Sequence, residues 1–143
     1  MPVLTRRRQR EVPQESWHIF YGDVQVGWVG ERAGVPKGVE QWGWSCGFHP
    51  RDRYLSGEAM SFAEARAAFE DAWRAYQPYC SDEDFAEHRY QRAFTTWKYA
   101  MWDAGCRIPT QTVSGITKCF CGVMLNNRTS AEHIRARHME ITA

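Results

Sequence analysis

Cys119 and Cys121 stand one residue apart in the stretch KCFCG, and His133 and His138 follow in EHIRARH after eleven intervening residues. Two thiolates and two imidazoles form a donor set suited to tetrahedral zinc, and four such ligands close the shell of a structural ion. The cysteines would lie on a tight knuckle eased by Gly122. Thr129 and Glu132 have capping-box spacing and predict a helix beginning near Ser130. On that helix His133 and His138 are five apart, slightly more than a turn. Both rings reach one side only if the helix tightens or bends near its end. Val123, Met124, Leu125 and Ile134 offer a small apolar core beneath the ion. Cys106 or a remote histidine is an alternative to one of the four ligands. The competing reading is a surface helix with two exposed histidines and two idle thiols.

With those residues in view, positions 118–140 resemble a Cys2His2 zinc finger. The gap before the first histidine and the histidine spacing follow the family pattern, and Leu125 stands where the family places an aromatic. The cysteines are closer together than the family's two to four intervening residues. The leucine that usually precedes the first histidine is also missing, its place falling near Ala131. The resemblance implies structural Zn2+ on Cys119, Cys121, His133 and His138.

Cationic side chains cluster at the two ends of the chain. Arg6, Arg7, Arg8 and Arg10 crowd the stretch TRRRQR, and Arg128, Arg135 and Arg137 decorate the expected finger helix. Arginines that neutralise phosphates release counterions and add salt-sensitive affinity for DNA or RNA. Asn126 and Asn127 precede the helix, and Asn and Arg are the side chains that read adenine and guanine edges. Solvated polar tails have the same composition, however, and a lone finger reads only about three base pairs. The net charge of +1 keeps a protein partner in contention.

These groups need elements to hold them. Residues 1–15 lack periodicity and predict a disordered basic arm. SWHIFYGDVQVGWVG reads as a hairpin turning at Gly22-Asp23. In VEQWGWSCGF, Trp42, Trp44, Cys46 and Phe48 alternate with small or polar residues, the mark of a strand with one apolar face. Ser61 and Glu64 begin a helix whose stripe is Phe62, Ala65, Phe69, Ala72, Trp73 and Tyr76. A second helix starts at Ser81, carries Phe85, Tyr90, Phe94, Trp97 and Met101 on one stripe, and stops at Gly105. The expected fold class is therefore α+β: a three-stranded antiparallel sheet packed on two helices, plus a small finger-like tail. The expected divisions are an arm over 1–15, a core domain over 16–105, a linker over 106–117 and a zinc-finger-like segment over 118–143.

YGDVQVG, WGWSCGF, FAEARAAFEDAW and KYAMWDAG give residues 17–105 a resemblance to a group of small uncharacterised bacterial proteins. That resemblance implies a bacterial or phage source and carries no activity with it.

Other chemistry is poorly represented. Cys46 and His49 lie three apart at a strand end without an orienting carboxylate or a Gly-rich oxyanion turn. There is no phosphate loop, dinucleotide motif or serine elbow. No apolar run approaches the length of a membrane span, and the charged N-terminus is not followed by an apolar signal region. Five cysteines without such a signal point to reduced thiols or a metal, and to a cytoplasmic protein. The expectation is a non-enzymatic nucleic-acid-binding or regulatory protein using the zinc-stabilised tail and the arm. The alternative is a protein–protein interaction module or inhibitor in which zinc is purely structural.

Overall fold

A computed structural model describes residues 3–51 and 53–141, so the outermost two positions of the expected arm and of the tail lie outside the described residues. The chain is α+β and forms two compact units, Met1–Phe85 and Ala86–Ala143.

In the first unit a five-stranded antiparallel sheet follows chain order: β1 Leu4–Arg8, β2 Ser16–Tyr21, β3 Val24–Glu31, β4 Trp42–Cys46 and β5 Leu55–Ala59. The expected three strands are its centre, and two edge strands were missed. β1 is the stretch expected to be disordered. It pairs along its length with β2, from Leu4 opposite Tyr21 to Arg8 opposite Trp17. The β2–β3 connection is the expected Gly22-Asp23 turn, with Gly22 at φ +62°, a backbone angle that glycine adopts at little cost.

Helix α1, Phe62–Tyr76, covers one face of this sheet. Its Ser61 hydroxyl accepts from the Glu64 N–H, and the Glu64 carboxylate accepts from the Met60 N–H. Ala65, Phe69, Ala72, Trp73 and Tyr76 are buried against Val24, Val26, Val29, Cys46 and Phe48. Phe69 comes so close to Gly27 that a Cβ there would lie 2.6 Å from its ring and 2.0 Å from the Ser45 carbonyl oxygen. Trp44 is only half-buried, its ring lying across Gly57 on the neighbouring strand.

Helix α2, Asp82–Asp103, does not pack as a whole on the sheet as expected. Phe85 joins the core of the first unit, stacking on Phe48. Ala93, Trp97 and Met101 instead build the core of the second unit with Cys119, Leu125 and Ile134. A 3.6-residue stripe records which face is apolar, not what it meets. The helix stops where expected. The Cys106 N–H bonds the Met101 carbonyl, the Gly105 N–H bonds that of Trp102, and Gly105 has φ +73°, the paired bonds of a Schellman cap. The expected linker over 106–117 is packed too: Pro109 is buried, and Cys106 and Ile108 lie against the second core.

Candidate metal centre

The tail is a small ββα unit. Strands β6, Ile116–Lys118, and β7, Met124–Asn126, pair antiparallel and are followed by α3, Ser130–Arg137. Between the strands the Cys119 N–H bonds the Val123 carbonyl and the Gly122 N–H bonds that of Cys119, both at 2.8 Å. Gly122 takes φ +99°, so the chain turns sharply enough to aim two cysteines one residue apart into one site.

Helix α3 begins where expected, but its start is held differently. The Thr129 hydroxyl accepts from the Asn126 N–H at 2.9 Å, and the Asn126 side-chain oxygen accepts from the N–H groups of Arg128 and Thr129. An Asn turn thus replaces the expected Thr129–Glu132 capping box. The five-residue histidine spacing is solved by ending the helix. His133 lies within α3, whereas His138 is its cap residue with φ −127° and ψ 17°, outside helical geometry. Leaving the helix lets the second ring turn back toward the first.

The result is one cluster. His138 Nε2 lies 3.1 Å from His133 Nε2 and 3.5 Å from Cys119 Sγ, and His133 Nε2 lies 3.3 Å from Cys121 Sγ. All four donor atoms fall within 4.8 Å of one another, so the four residues can hold a metal ion. Cys106 stands outside this group. Cys119, His133 and His138 are buried and Cys121 is exposed. Burial holds both histidines below the ordinary imidazole range, assisted by the Arg137 charge and, for His138, by His133. Both therefore favour the neutral form that can donate a lone pair to a metal. Burial also pushes the Cys119 thiol up. On its own that thiol stays protonated, and a bound cation would reverse the effect by stabilising the thiolate.

A supporting contact escaped sequence reasoning. The Trp97 indole N–H on α2 donates to Cys119 Sγ at 3.4 Å. Trp97 was recognisable as a core residue, but nothing in its spacing identifies the sulfur as its polar partner. Phe120 adds a ring 5.0 Å from that of His138.

The cationic candidates are not gathered into this centre. Arg6 lies over the rings of Trp17 and Phe62, Arg7 over Phe20, and Arg8 over Trp17 while paired with Glu15 at 3.2 Å. Arg10 is exposed. On the finger helix, Arg135 stacks 3.9 Å above Tyr90 and pairs with Glu87 at 3.5 Å, so its head folds back onto α2. Arg128 and Arg137 are exposed. Cys46, the other thiol considered for chemistry, is fully buried and its pKa is pushed up to about 12, mainly by desolvation. It is a core side chain and a poor nucleophile. Among the described residues no helix is long and apolar enough to cross a membrane. No family model, curated protein or solved structure matches the chain.

Proposed function

We propose that the protein is a non-enzymatic protein-interaction protein whose C-terminal unit is held together by structural zinc. The metal part rests on donor chemistry. Ideal tetrahedral zinc with ordinary bond lengths sets its nitrogens about 3.3 Å apart and each nitrogen about 3.6 Å from each sulfur. Three of the six separations, 3.1, 3.3 and 3.5 Å, fall close to that polyhedron, and all six lie within 4.8 Å, so binding an ion would draw the donors slightly together. Four protein ligands leave no open position for substrate, which favours a structural over a catalytic ion.

The interaction part rests on where α3 spends its side chains. Ile134 is buried beside Ala93 and Trp97, and Arg135 is engaged with Tyr90 and Glu87. A finger helix committed to α2 on this side has little left to enter a groove. Meanwhile α2 turns Tyr99 and Trp102 outward at 68% and 77% exposure, and large rings are favoured anchors at protein interfaces. Nucleic-acid binding is the second reading, supported by the exposed Arg128 and Arg137. Native mass spectrometry together with gel shifts on DNA and RNA at two salt concentrations separates the readings. One zinc per chain and no shift are expected. A salt-sensitive shift would replace the protein-interaction reading with the nucleic-acid one.

A further inference from the structure

We propose that the open edge of β1 takes an extended acidic peptide as a sixth strand, with one apolar side chain of that peptide seated between β1 and α1. The inference rests on the protein-interaction reading but uses the first unit, away from the metal ligands.

β1 is the outermost strand of its sheet, and Thr5 to Arg8 are all exposed. The Gln9 N–H bonds the Ser16 carbonyl at 2.8 Å. Gln9 therefore faces β2, and the two-residue alternation of an antiparallel ladder turns the backbone groups of Arg8, Arg6 and Leu4 outward. Beside this edge is a crevice of about 280 Å³. Ile19, Val29 and Phe69 form its buried floor, Phe62 is a wall, and the lining is completed by Arg6 and by Arg66, which is paired with Glu70 of the same lining at 3.1 Å. That volume falls just below the range of small-molecule sites and suits a single large side chain. Strand addition uses this combination: main-chain bonds give affinity, and a pocket beside the edge gives selectivity.

The charges choose the occupant. A second copy would bring its own arginine-rich edge against this one, and repulsion disfavours that pairing. A nucleic acid can accept from the edge N–H groups but has no backbone donor repeat to satisfy the edge carbonyls. An acidic peptide supplies both. Its carboxylates can meet Arg6 beside the crevice and Arg7 on the opposite face, and can compete with Glu70 for Arg66.

The test is an NMR titration of the isotopically labelled full chain with three probes. These are a short peptide of Glu, Thr and Val with one central Leu, the same peptide with Lys replacing Glu, and oligodeoxythymidine. The acidic peptide should shift the amides of residues 4–8 and 62–69, and the lysine peptide should not. Arg6→Pro removes an outward N–H, a place where an edge strand tolerates proline. It should weaken binding at least tenfold more than Arg6→Ala, with the β2 and β3 resonances retained. Should Arg6→Pro disturb the sheet, Arg66→Glu on the exposed side of α1 should still weaken the acidic peptide at least tenfold. No shift with the acidic peptide, or equal affinity of these variants, overturns the proposal and leaves the zinc assignment standing. Oligodeoxythymidine shifting the same amides overturns both this proposal and the protein-interaction reading.

Discussion

The indole N–H of Trp97 points at Cys119 Sγ across 3.4 Å, joining the middle of α2 to the cysteine knuckle. Trp97 is 1% exposed and Cys119 is 2% exposed, so water does not compete for this bond. A donor to a ligating sulfur orients it and disperses its charge. Partners of this kind typically change metal affinity by roughly 10- to 100-fold. Trp97→Phe keeps most of the ring and deletes the N–H. It should weaken metal binding by about tenfold in a chelator competition while the metal-loaded protein still folds. Equal affinity in the variant and the parent would show that the bond does not tune the site.

Acid should loosen the second unit. His133 and His138 are held below their ordinary pKa chiefly by burial. Above about pH 6.5 both are neutral in the folded and unfolded chains. As pH falls below that value the unfolded chain binds protons first, so stability is lost. Protons also compete with metal for the same nitrogens, so metal loss runs in the same direction. Trp97 emission followed from pH 8 to pH 4 should report opening on the acid side. His138→Ala should flatten that response at the cost of metal affinity.

Alkali should act on the first unit instead. Cys46 titrates near 12 in the folded protein, raised from an ordinary thiol value of 9.0. Its contribution to stability is full below about pH 9 and is lost as pH rises from there toward 12. Denaturant midpoints measured at pH 7 and pH 10 should differ for the parent. The difference should shrink in Cys46→Ala, although that variant starts from a lower midpoint.

Much of the first unit could be read from its residues. The Gly22-Asp23 turn, the Ser61 cap and the α1 stripe each have a local chemical cause. β1 and β5 do not advertise themselves. LTRRR is almost entirely polar and shows no alternation of apolar with polar residues, and LSGEA is short and rich in small residues. Edge strands can have such composition because one side of the backbone faces solvent. The cluster of Cys119, Cys121, His133 and His138 was legible because its chemistry is carried by residue type. The turn-back at His138 was only half legible, since spacing showed that the helix must deform but not that it ends. The contact of Arg135 with Tyr90 was not legible, because a cation on a helix shows no sign of the ring it lies on.

That ring gives a further expectation. Arg135 over Tyr90, with Glu87 beside it, is a half-exposed contact, so the stacking and ion-pair contributions stay modest. Arg135→Ala should lower the stability of the second unit by about 1 kcal/mol. Glu87→Gln should lower it less. Thermal melts of the metal-loaded proteins check both, and a larger loss in Glu87→Gln would mean that the ion pair dominates.

The core of the first unit should not depend on metal. Trp73 is 4% exposed and packs on Tyr21 and Tyr76, so Trp73→Ala should cost about 3–5 kcal/mol. Gly27→Ala should be as damaging, because its Cβ would collide with the Ser45 carbonyl and with Phe69. Urea melts with and without chelator should show the same loss for each substitution.

The central claim is that zinc holds Cys119, Cys121, His133 and His138 together, and X-ray absorption on the protein as purified tests it most directly. One zinc per chain is expected, with two sulfur ligands near 2.3 Å and two nitrogens near 2.0 Å. Chelation should then release the second unit while the β-sheet amides of the first stay protected from exchange. A metal-free chain whose second unit keeps its amide protection, or a zinc shell without sulfur, would contradict the account.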